Sequence, residues 1–443
     1  MNIQVSESST TTLSTGLPAE PASGRGRSHG TSGTEPFDRW FRYPAGFASD
    51  YVSMLLEHLA LPTGSMVVDP FAGSAVTGTA ARRAGLSFFG IEAHPLIAEL
   101  ANLKLKKPPG SPAAFLRAAS IVVDAAKKSR ATGSLINAEV DLTRRCFTPD
   151  VLADLCSIRE AILDRKAGVW GKYAKWALLA TLRDVASARV GWPYQRPGQA
   201  RQPKYADAYS RFLQRANLIS EDIGLVDWKS SIDVSAFVTQ GDARRKRAWK
   251  RLDSGGAHGC VASPPYLNNF DYADATRLEL YFWGEVSSWA EMVTNVRSDM
   301  VTATTQQSSV GAASDASQRL SRFAEIGSEV DELVEALKIQ RTQRGRGKEY
   351  DRVVPDYFDA ISEVLENLAA AMHPGSPVVW LIGDSAPYGV YIDTPAIIGR
   401  IAEQVGFTVE RDEALRRRGQ RWATNKTRHD VQLSERLILF RRG

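Results

Sequence analysis

Apolar runs and helical periodicities alternate along the first part of the chain. Residues 65–69 form a short apolar run typical of a buried strand, and a small-residue loop over 70–78 opens a helix that continues to Arg83. A second apolar run over 87–91 predicts another strand, which finishes at Glu92. Strand, loop, helix and strand in this order form one βαβ unit, which predicts a doubly wound, mostly parallel sheet of the α/β class.

The rest of the chain divides into segments of different character. Ser, Thr, Gly and Pro dominate the first 36 residues, which predicts a disordered tail. A stretch rich in Ser, Thr and Gln, and then in Arg and Gly, predicts a mobile insertion. The predicted segments are the disordered tail (1–36), the first half of the core (37–110), a mainly helical basic insertion (111–235), the second half of the core (236–294), the mobile insertion (295–350) and the last strands and helices of the core (351–443).

Composition excludes several classes of protein. The 443 residues are 43% hydrophobic and 24% charged, which is typical of a soluble globular protein with two or three structural units. No apolar run approaches the ~18 residues of a membrane-spanning helix, and the polar N-terminus has no secretory signal. The 3 cysteines and 6 histidines are scattered and show neither a disulfide framework nor metal-ligand spacing. We therefore expect a cytoplasmic protein with no membrane or metal partner.

The distribution of charge says more than the formal net charge of +5. Between Arg165 and Arg215 there are eleven Lys or Arg residues against two acids, a local net charge of +9. The other residues of the chain must then be slightly acidic in total. A concentrated basic stretch on a nearly neutral body predicts a partner that is a polyanion.

The loop after the first predicted strand, Asp69-Pro70-Phe71-Ala72-Gly73-Ser74, is the first candidate binding site. Its small side chains let a ligand approach the backbone, and the following helix presents free N–H groups. Glu92, at the end of the second predicted strand, is placed to accept hydrogen bonds from two ribose hydroxyls. The alternative is a tight turn that binds nothing. Because the loop lacks a G-x-G-x-x-G pattern and Pro70 lacks an N–H, a cofactor with a nucleoside but no pyrophosphate fits better than a dinucleotide.

A second candidate site, Ser263-Pro264-Pro265-Tyr266, also follows a predicted strand. The two prolines fix φ twice and remove two donors, which leaves a rigid edge whose acceptors are the Ser263 hydroxyl and the Pro264 carbonyl. Such an edge suits the two N–H donors of a planar exocyclic amino group, and Tyr266 is the candidate for stacking on the ring that carries it. The alternative is an ordinary surface turn. Because the cofactor loop is present in the same chain, we interpret the four residues as catalytic.

These motifs together resemble those of the exocyclic-amino DNA methyltransferases, which use S-adenosylmethionine. The resemblance rests on DPFAGS (69–74), Glu92 and SPPY (263–266), and it covers most of residues 37–440 apart from the two insertions. Upstream, Tyr43-Pro44-Ala45 resembles the family's element that packs against the methionine end of the cofactor, and Gly241-Asp242 resembles its adenine-side acidic loop. The resemblance implies a Rossmann-like methyltransferase core with a seven-stranded sheet, and a DNA-recognition role for the helical insertion.

In this family SPPY is mostly associated with cytosine-N4 modification. The resemblance therefore implies site-specific methyl transfer from S-adenosylmethionine to cytosine N4 in double-stranded DNA after base flipping, with a cognate restriction endonuclease as a partner. Carbon-5 methylation would need a nucleophilic cysteine, typically beside a proline, and no cysteine of the chain has that neighbour. Three alternatives stay open: adenine-N6 methylation of DNA, methylation of a base amine in structured RNA, and a non-catalytic DNA-binding regulator.

The chain departs from the family pattern at one position of the cofactor loop. The family's usual Gly-Ser-Gly is Gly73-Ser74-Ala75 here. The extra methyl group is tolerable if φ at Ala75 is negative, whereas a positive φ there would strain the loop and weaken cofactor binding.

Aromatic residues interleave the basic stretch, as expected of a surface that binds nucleic acid. For Trp170, Tyr173 and Trp176 a buried helical face is an equally good interpretation. The Pro- and Gly-containing loop over 192–201 is a better candidate for DNA contact, and a cluster of arginines over 416–421 is either a second phosphate-facing patch or a solvated hairpin. The predicted DNA-binding residues are Trp192, Tyr194, Arg196, Arg201, Lys204 and Arg211.

Overall fold

The computed structural model describes most of the chain from residue 33 to residue 443. The residues between these limits that it leaves undescribed are 44–47, 131–139, 191–195, 229–233, 253–255, 269–270, 306–308, 345–346 and 419–430. Residues 1–32 of the predicted tail therefore lie outside the described residues, as do Pro44, Ala45, Trp192 and Tyr194 among the predicted site residues.

Seven strands form one sheet in the order β5-β2-β1-β6-β7-β9-β8, and two others form a separate hairpin. The first five of the seven run parallel to their neighbours, whereas β9 lies antiparallel between β7 and β8. This confirms the predicted doubly wound, mostly parallel Rossmann-like sheet. The strands are β1 (Met66–Asp69), β2 (Ser87–Glu92), β3 (Ala188–Arg189), β4 (Arg196–Ala200), β5 (Ala236–Gln240), β6 (Gly259–Ala262), β7 (Pro377–Gly383), β8 (Phe407–Arg418) and β9 (Leu433–Arg442).

Most of the parallel part of the sheet is buried between the helices that cover its two faces. Every residue of β2, β6 and β7 is buried, as expected of parallel strands, whose two faces both contact the core. The helices within the described residues are α1 (Ser49–Leu59), α2 (Val76–Arg83), α3 (Pro95–Leu105), α4 (Pro112–Arg130), α5 (Asp141–Cys146), α6 (Pro149–Leu163), α7 (Gly171–Val185), α8 (Ala208–Gly224), α9 (Arg277–Trp283), α10 (Trp289–Met292), α11 (Val310–Leu320), α12 (Ala324–Gln343), α13 (Tyr350–Ala371) and α14 (Thr394–Gln404).

The helical insertion shares an apolar core with residues of α3 and α9. Helices α4, α6, α7 and α8 pack on one another, with the hairpin of β3 and β4 at their edge. Trp170, Tyr173 and Trp176 are at most 4% exposed and belong to this core. Of the two interpretations of these aromatic residues, the structure therefore supports the buried helical face.

The segment over 295–350 differs from its prediction as a mobile insertion. Much of it forms α11 and α12, which pack against α13 and bury Leu320, Ile326, Val330 and Leu337. These apolar residues are few and widely spaced among polar ones, so the stretch as a whole has a polar composition. The helices are stable in the fold because α13 offers an apolar face on which those few side chains pack.

No helix within the described residues is long and apolar enough to cross a membrane. The described part of the chain also contains no group of three or more His, Cys, Asp or Glu residues that could hold a metal ion.

Candidate active site

A cleft of about 870 Å³ lies at the carboxyl ends of β1, β2 and β6. Parallel strands end at the same edge of a sheet, and the register pairs Val68 of β1 with Cys260 of β6, so the loops that follow these strands meet there. The predicted site residues that line the cleft are Tyr43, Asp69, Pro70, Phe71, Ala72, Gly73, Glu92, Ser263 and Pro265.

The loop after β1 folds back over the end of β2. The Asp69 carboxylate accepts a hydrogen bond of 2.9 Å from the Phe71 N–H, and the Ala72 N–H donates to the Ile91 carbonyl at 2.9 Å. Gly90 is required beneath this loop, because a Cβ atom there would lie only 2.7 Å from the Cβ of Ala72. Gly73 has a φ of +49° and turns the chain toward α2.

Ala75 adopts the conformation that the sequence identified as strained. Its φ is +62° and its ψ is +43°, at the residue that precedes α2. The side chain is fully buried, and the backbone N–H donates to the Ala72 carbonyl at 2.8 Å. The structure therefore shows a positive φ at Ala75, which is the case that strains the loop, and not the negative φ that would tolerate the methyl group.

The carboxylate of Glu92 holds the loop after β1 in place through a hydrogen bond with Gly73. One carboxylate oxygen accepts from the Gly73 N–H at 2.8 Å and the other from the His94 N–H at 2.7 Å. The carboxyl group is 8% exposed, and burial raises its pKa to about 7. Burial also raises the pKa of Asp69 to about 7. Each oxygen of Glu92 has a lone pair left to accept a hydroxyl group from a ligand in the cleft.

His94 supports the wall of the cleft from behind. Its ring is fully buried, and its Nε2 lies 2.6 Å from the Thr276 hydroxyl. Burial lowers its pKa to about 3, so the ring is neutral. The ring meets the edge of Tyr43, with 6.3 Å between the centroids, and Tyr43 lies 6.3 Å from Tyr272 across the cleft wall. This packing holds the two tyrosines on one side of the cleft.

The four residues of the second motif have different positions at the end of β6. Ser263 and Pro265 line the cleft and are partly exposed, whereas Pro264 is buried between them. Tyr266 differs from its prediction as a stacking residue, because it is 5% exposed and packs in the apolar core with residues of α13. The aromatic residue that follows this motif and does line the cleft is Tyr272.

Asp242 also differs from its predicted role. Its carboxylate accepts from the backbone N–H and the Nε of Arg244, at 2.9 and 2.8 Å, and it does not line the cleft. Its neighbours Gly241 and Ala243 line the cleft with their backbone and Cβ atoms instead. Ser74 is likewise buried outside the cleft lining.

One wall of the cleft was not predicted at all. Asp299, Met300 and Val301 line it, although they belong to the stretch interpreted as a mobile insertion. They follow Arg297, which is 3% exposed and forms an ion pair with Asp271, the residue before Tyr272. No sequence motif marks these residues, because only the tertiary structure brings them to the cofactor loop.

The predicted DNA-binding residues differ in the exposure and in the contacts of their side chains. Arg196 and Lys204 are exposed. Arg201 donates to the Ala186 carbonyl at 3.0 Å and to the Arg183 carbonyl, and Arg211 forms an ion pair of 2.7 Å with Asp184. These contacts give Arg201 and Arg211 roles inside the helical insertion rather than at a free surface.

Several cations of the basic stretch form ion pairs with acids inside and outside it. Lys175 pairs with Glu99 and Glu285, and Arg215 pairs with Asp184. The local charge of +9 therefore does not correspond to one continuous basic surface. In the arginine cluster near the C-terminus, Arg416 pairs with the buried Glu435, and residues 419–430 lie outside the described residues.

Comparisons with known proteins agree with this geometry. The sequence pattern of a DNA methylase family, named for N6 and N4 methylation, matches residues 21–103. The type II methyltransferase M.AvaI of Nostoc is 23% identical over 395 residues, which cover 85% of this chain and 80% of that protein. The type II methyltransferase M.BsoBI of Geobacillus stearothermophilus is 24% identical over 411 residues, which cover 83% of this chain and 78% of that protein.

A solved structure, the rRNA methyltransferase aviRa of Streptomyces viridochromogenes, aligns with 90% of this chain and 86% of its own at 12% identity. Its TM-score is 0.27, so the alignment supports no conclusion. The sequence pattern, the two relatives and the arrangement of the DPFAGS and SPPY motifs at one sheet edge are consistent with one another. In its motifs, in the matched sequence pattern and in these two relatives, the chain is similar to the exocyclic-amino DNA methyltransferases.

Proposed function

We propose that this protein transfers a methyl group from S-adenosylmethionine to the exocyclic N4 of cytosine in double-stranded DNA. One observation carries the proposal: Ser263 and Pro265 of the SPPY motif line the same cleft as the DPFAGS loop and Glu92. A cofactor held by the loop would then lie beside the edge that is suited to a base amine. The identity of the base rests on Ser263, because SPPY is mostly associated with cytosine N4 in the family that the chain resembles.

The cleft fits S-adenosylmethionine by the chemistry of its lining. Glu92 is placed to accept from ribose hydroxyls, while Ile91, Ala243 and Val301 offer apolar contacts to an adenine ring. A Cβ atom on Gly73 would face the Tyr43 ring at 3.9 Å, so the absent side chain leaves the space between them for a ligand. Asp69 adds a second carboxyl group that favours a ligand with positive charge.

When bound, S-adenosylmethionine supplies a methyl group on a positively charged sulfur, which is open to attack by an amine. The Ser263 hydroxyl and the Pro264 carbonyl would accept the two N–H bonds of the base amine. These hydrogen bonds hold the nitrogen lone pair away from conjugation with the ring and toward the cofactor side of the cleft. Catalysis by this chain is then mostly positioning, together with stabilisation of the positive charge that develops on the nitrogen. The base must leave the duplex to reach the cleft, and Tyr272 lines that cleft as an aromatic surface for it.

The proposal is tested by identifying the methylated base. Duplex DNA is incubated with the protein and labelled S-adenosylmethionine, digested to nucleosides and separated by mass. We expect N4-methylcytosine. Finding N6-methyladenine instead would keep the reaction and overturn the choice of base, whereas labelling of RNA alone, or no labelling, would overturn the proposal.

The role of Ser263 has its own test in the same assay. Ser263→Ala removes one of the two acceptors, and we expect kcat to fall about 100-fold, as for the loss of one preorganised hydrogen-bonding group. The dissociation constant of S-adenosylmethionine should change little. Ser328→Ala, on the exposed face of α12, is the matched control and should leave kcat unchanged.

The two type II relatives support a further element of the proposal, which is that this protein protects DNA from a cognate restriction endonuclease. Mapping of the methylated positions by sequencing would test it. A single recurrent recognition sequence, methylated at nearly every occurrence in the host's DNA, is the expected result. Methylation without any sequence preference would contradict it.

A further inference from the structure

Four exposed arginines meet at one edge of the helical insertion, and we call this surface the basic corner. It consists of Arg144 and Arg145 on α5 and of Arg189 and Arg196 on the hairpin of β3 and β4. Of these four, only Arg196 was predicted as a DNA contact.

Backbone contacts join α5 and the hairpin into a single surface. Both the N–H and the hydroxyl of Ser187 donate to the Cys146 carbonyl, at 2.9 and 3.2 Å. Gly198 of β4 lies so close to α5 that a Cβ atom there would be 3.6 Å from a guanidinium nitrogen of Arg145. These contacts place Arg145 of α5 beside the hairpin that carries Arg189 and Arg196.

The arginine side chains of the basic corner are exposed, unlike several cations of the basic stretch. Lys175, Arg211 and Arg215 direct their charges inward to acids with short ion pairs. Arg145 has an ion pair of 3.5 Å with Asp141, but both side chains are more than half exposed, so solvent screens that pair. The exposed side chains of Arg144, Arg145 and Arg189 thus remain accessible to an external anion.

The hairpin is fixed to the segment that forms one wall of the cleft. Arg201, just after β4, donates to the carbonyls of Ala186 and Arg183. The Arg183 side chain in turn donates to the Ala275 carbonyl at 3.0 Å, three residues beyond Tyr272. A ligand bound at the basic corner would therefore be held in a defined position relative to the cleft.

We propose that the basic corner binds phosphates of double-stranded DNA beside the base that enters the cleft. This inference rests on the proposed function and deepens it, because it assigns the phosphate contacts to a surface that the local charge count did not identify. Duplex DNA carries a dense row of phosphates, and the planar guanidinium group binds phosphate oxygens in pairs. Such contacts position the duplex and do not themselves read its sequence.

The experiment compares two variants that each lose two positive charges. Arg144→Gln with Arg145→Gln removes half of the basic corner. Arg165→Gln with Lys166→Gln is the matched control, because these exposed residues follow α6 at the end opposite α5, about 22 Å away along the helix. Affinity for a fluorescently labelled duplex is measured by anisotropy over a series of salt concentrations, and affinity for S-adenosylmethionine is measured by calorimetry.

We expect the corner variant to bind the duplex about 10-fold more weakly at physiological salt. The slope of log Kd against log salt concentration should decrease by about 2, close to 0.9 for each lost phosphate contact. The control should keep the slope of the unaltered protein, and S-adenosylmethionine should bind equally to all three proteins. An unchanged slope in the corner variant, or an equal loss in the control, overturns the inference while the proposed function stands. If the unaltered protein neither binds nor methylates duplex DNA, the proposed function fails together with the inference.

Discussion

At the scale of single residues, Ala75 shows how a small departure from a family pattern becomes a physical cost. A residue with a Cβ atom in the left-handed region is less stable there by roughly 1–2 kcal/mol. Ala75 has a φ of +62° and is fully buried, so the loop holds this conformation against its local preference. The surrounding hydrogen bonds of the loop, from Phe71 to Asp69 and from Ala72 to Ile91, provide the opposing stabilisation.

We predict that Ala75→Gly raises the free energy of unfolding by about 1 kcal/mol, because glycine adopts this conformation without strain. Ala80→Gly is the control, since it makes the same chemical change inside α2 with ordinary helical angles, and it should lower the free energy of unfolding by about 1 kcal/mol or more. Urea denaturation measures both. Equal destabilisation by the two substitutions would show that Ala75 is not strained.

The raised pKa of Glu92 predicts that binding of the proposed cofactor depends on pH. The carboxyl group must be ionised to accept two hydroxyl groups, and burial raises its pKa to about 7. We therefore predict that affinity for S-adenosylmethionine rises from pH 6 to pH 8 and levels off above that, because the raised pKa leaves much of the group protonated below 7. Calorimetry at several pH values measures this dependence.

Glu92→Gln separates this effect from the titration of other groups. The variant should bind S-adenosylmethionine about 10-fold more weakly at pH 8, and its remaining pH dependence should be smaller, with Asp69 still titrating near pH 7. A dissociation constant that is the same at pH 6 and pH 8 in the unaltered protein would contradict this role of Glu92.

At the scale of elements, the strands and the loops between them were predictable to different degrees. The strands over 65–69 and 87–91 were predicted within one residue of their observed bounds, because their apolar patterns match the burial that they acquire. Helices α11 and α12 were not, since their few apolar side chains are buried only because α13 lies beside them. The wall formed by Asp299, Met300 and Val301 was missed for the same reason.

The ion pair of Arg297 and Asp271 joins this unpredicted wall to the segment that carries Tyr272. Removing one partner of a buried pair leaves the other charge without compensation, which costs about 3–5 kcal/mol. We predict that Arg297→Gln lowers the free energy of unfolding by about that amount and weakens S-adenosylmethionine binding several-fold, because Asp299 and Met300 lose their anchor. Denaturation and calorimetry measure the two effects.

A control with similar instability distinguishes a local effect from a general one. Leu337→Ala in α12 removes a side chain that is 1% exposed and should cost about 2–5 kcal/mol, yet Leu337 does not line the cleft. Its affinity for S-adenosylmethionine should be unchanged at a temperature where both variants are folded. Equal loss of affinity in both would mean that the ion pair has no particular part in the cleft.

At the scale of the whole molecule, the site could be predicted where one chain segment carries a complete chemical motif. Asp69 to Gly73, Glu92 and Ser263 follow strands that end at one edge, so their meeting follows from the α/β topology. The contacts of Arg211 and Asp242 could not be predicted in this way. Arg211 pairs with Asp184, and Asp242 pairs with Arg244, only in the folded protein. A charge count along the chain cannot distinguish a paired arginine from a free one.

Arg183 joins the helical insertion to the two chain segments that carry Tyr43 and Tyr272 on one side of the cleft. Its guanidinium group donates to the Arg42 carbonyl next to Tyr43, to the Ala275 carbonyl and to Glu279, which is fully buried. The group also lies 4.0 Å above the ring of Phe41. A lysine ammonium cannot reproduce the planar set of donors that makes these contacts together.

We therefore predict that Arg183→Lys weakens binding of S-adenosylmethionine and of duplex DNA together, each about 10-fold, because the segments that carry Tyr43 and Tyr272 and the base of the hairpin lose a shared anchor. Arg215→Lys is the matched control: Arg215 pairs with Asp184 in the same bundle and donates to the Arg39 carbonyl, and neither contact is to the segment that carries Tyr272. Its affinity for S-adenosylmethionine should remain within about 2-fold of the unaltered protein. If Arg183→Lys weakened DNA binding alone, the insertion would hold the duplex without positioning the cofactor cleft, and the joint role of Arg183 would be wrong.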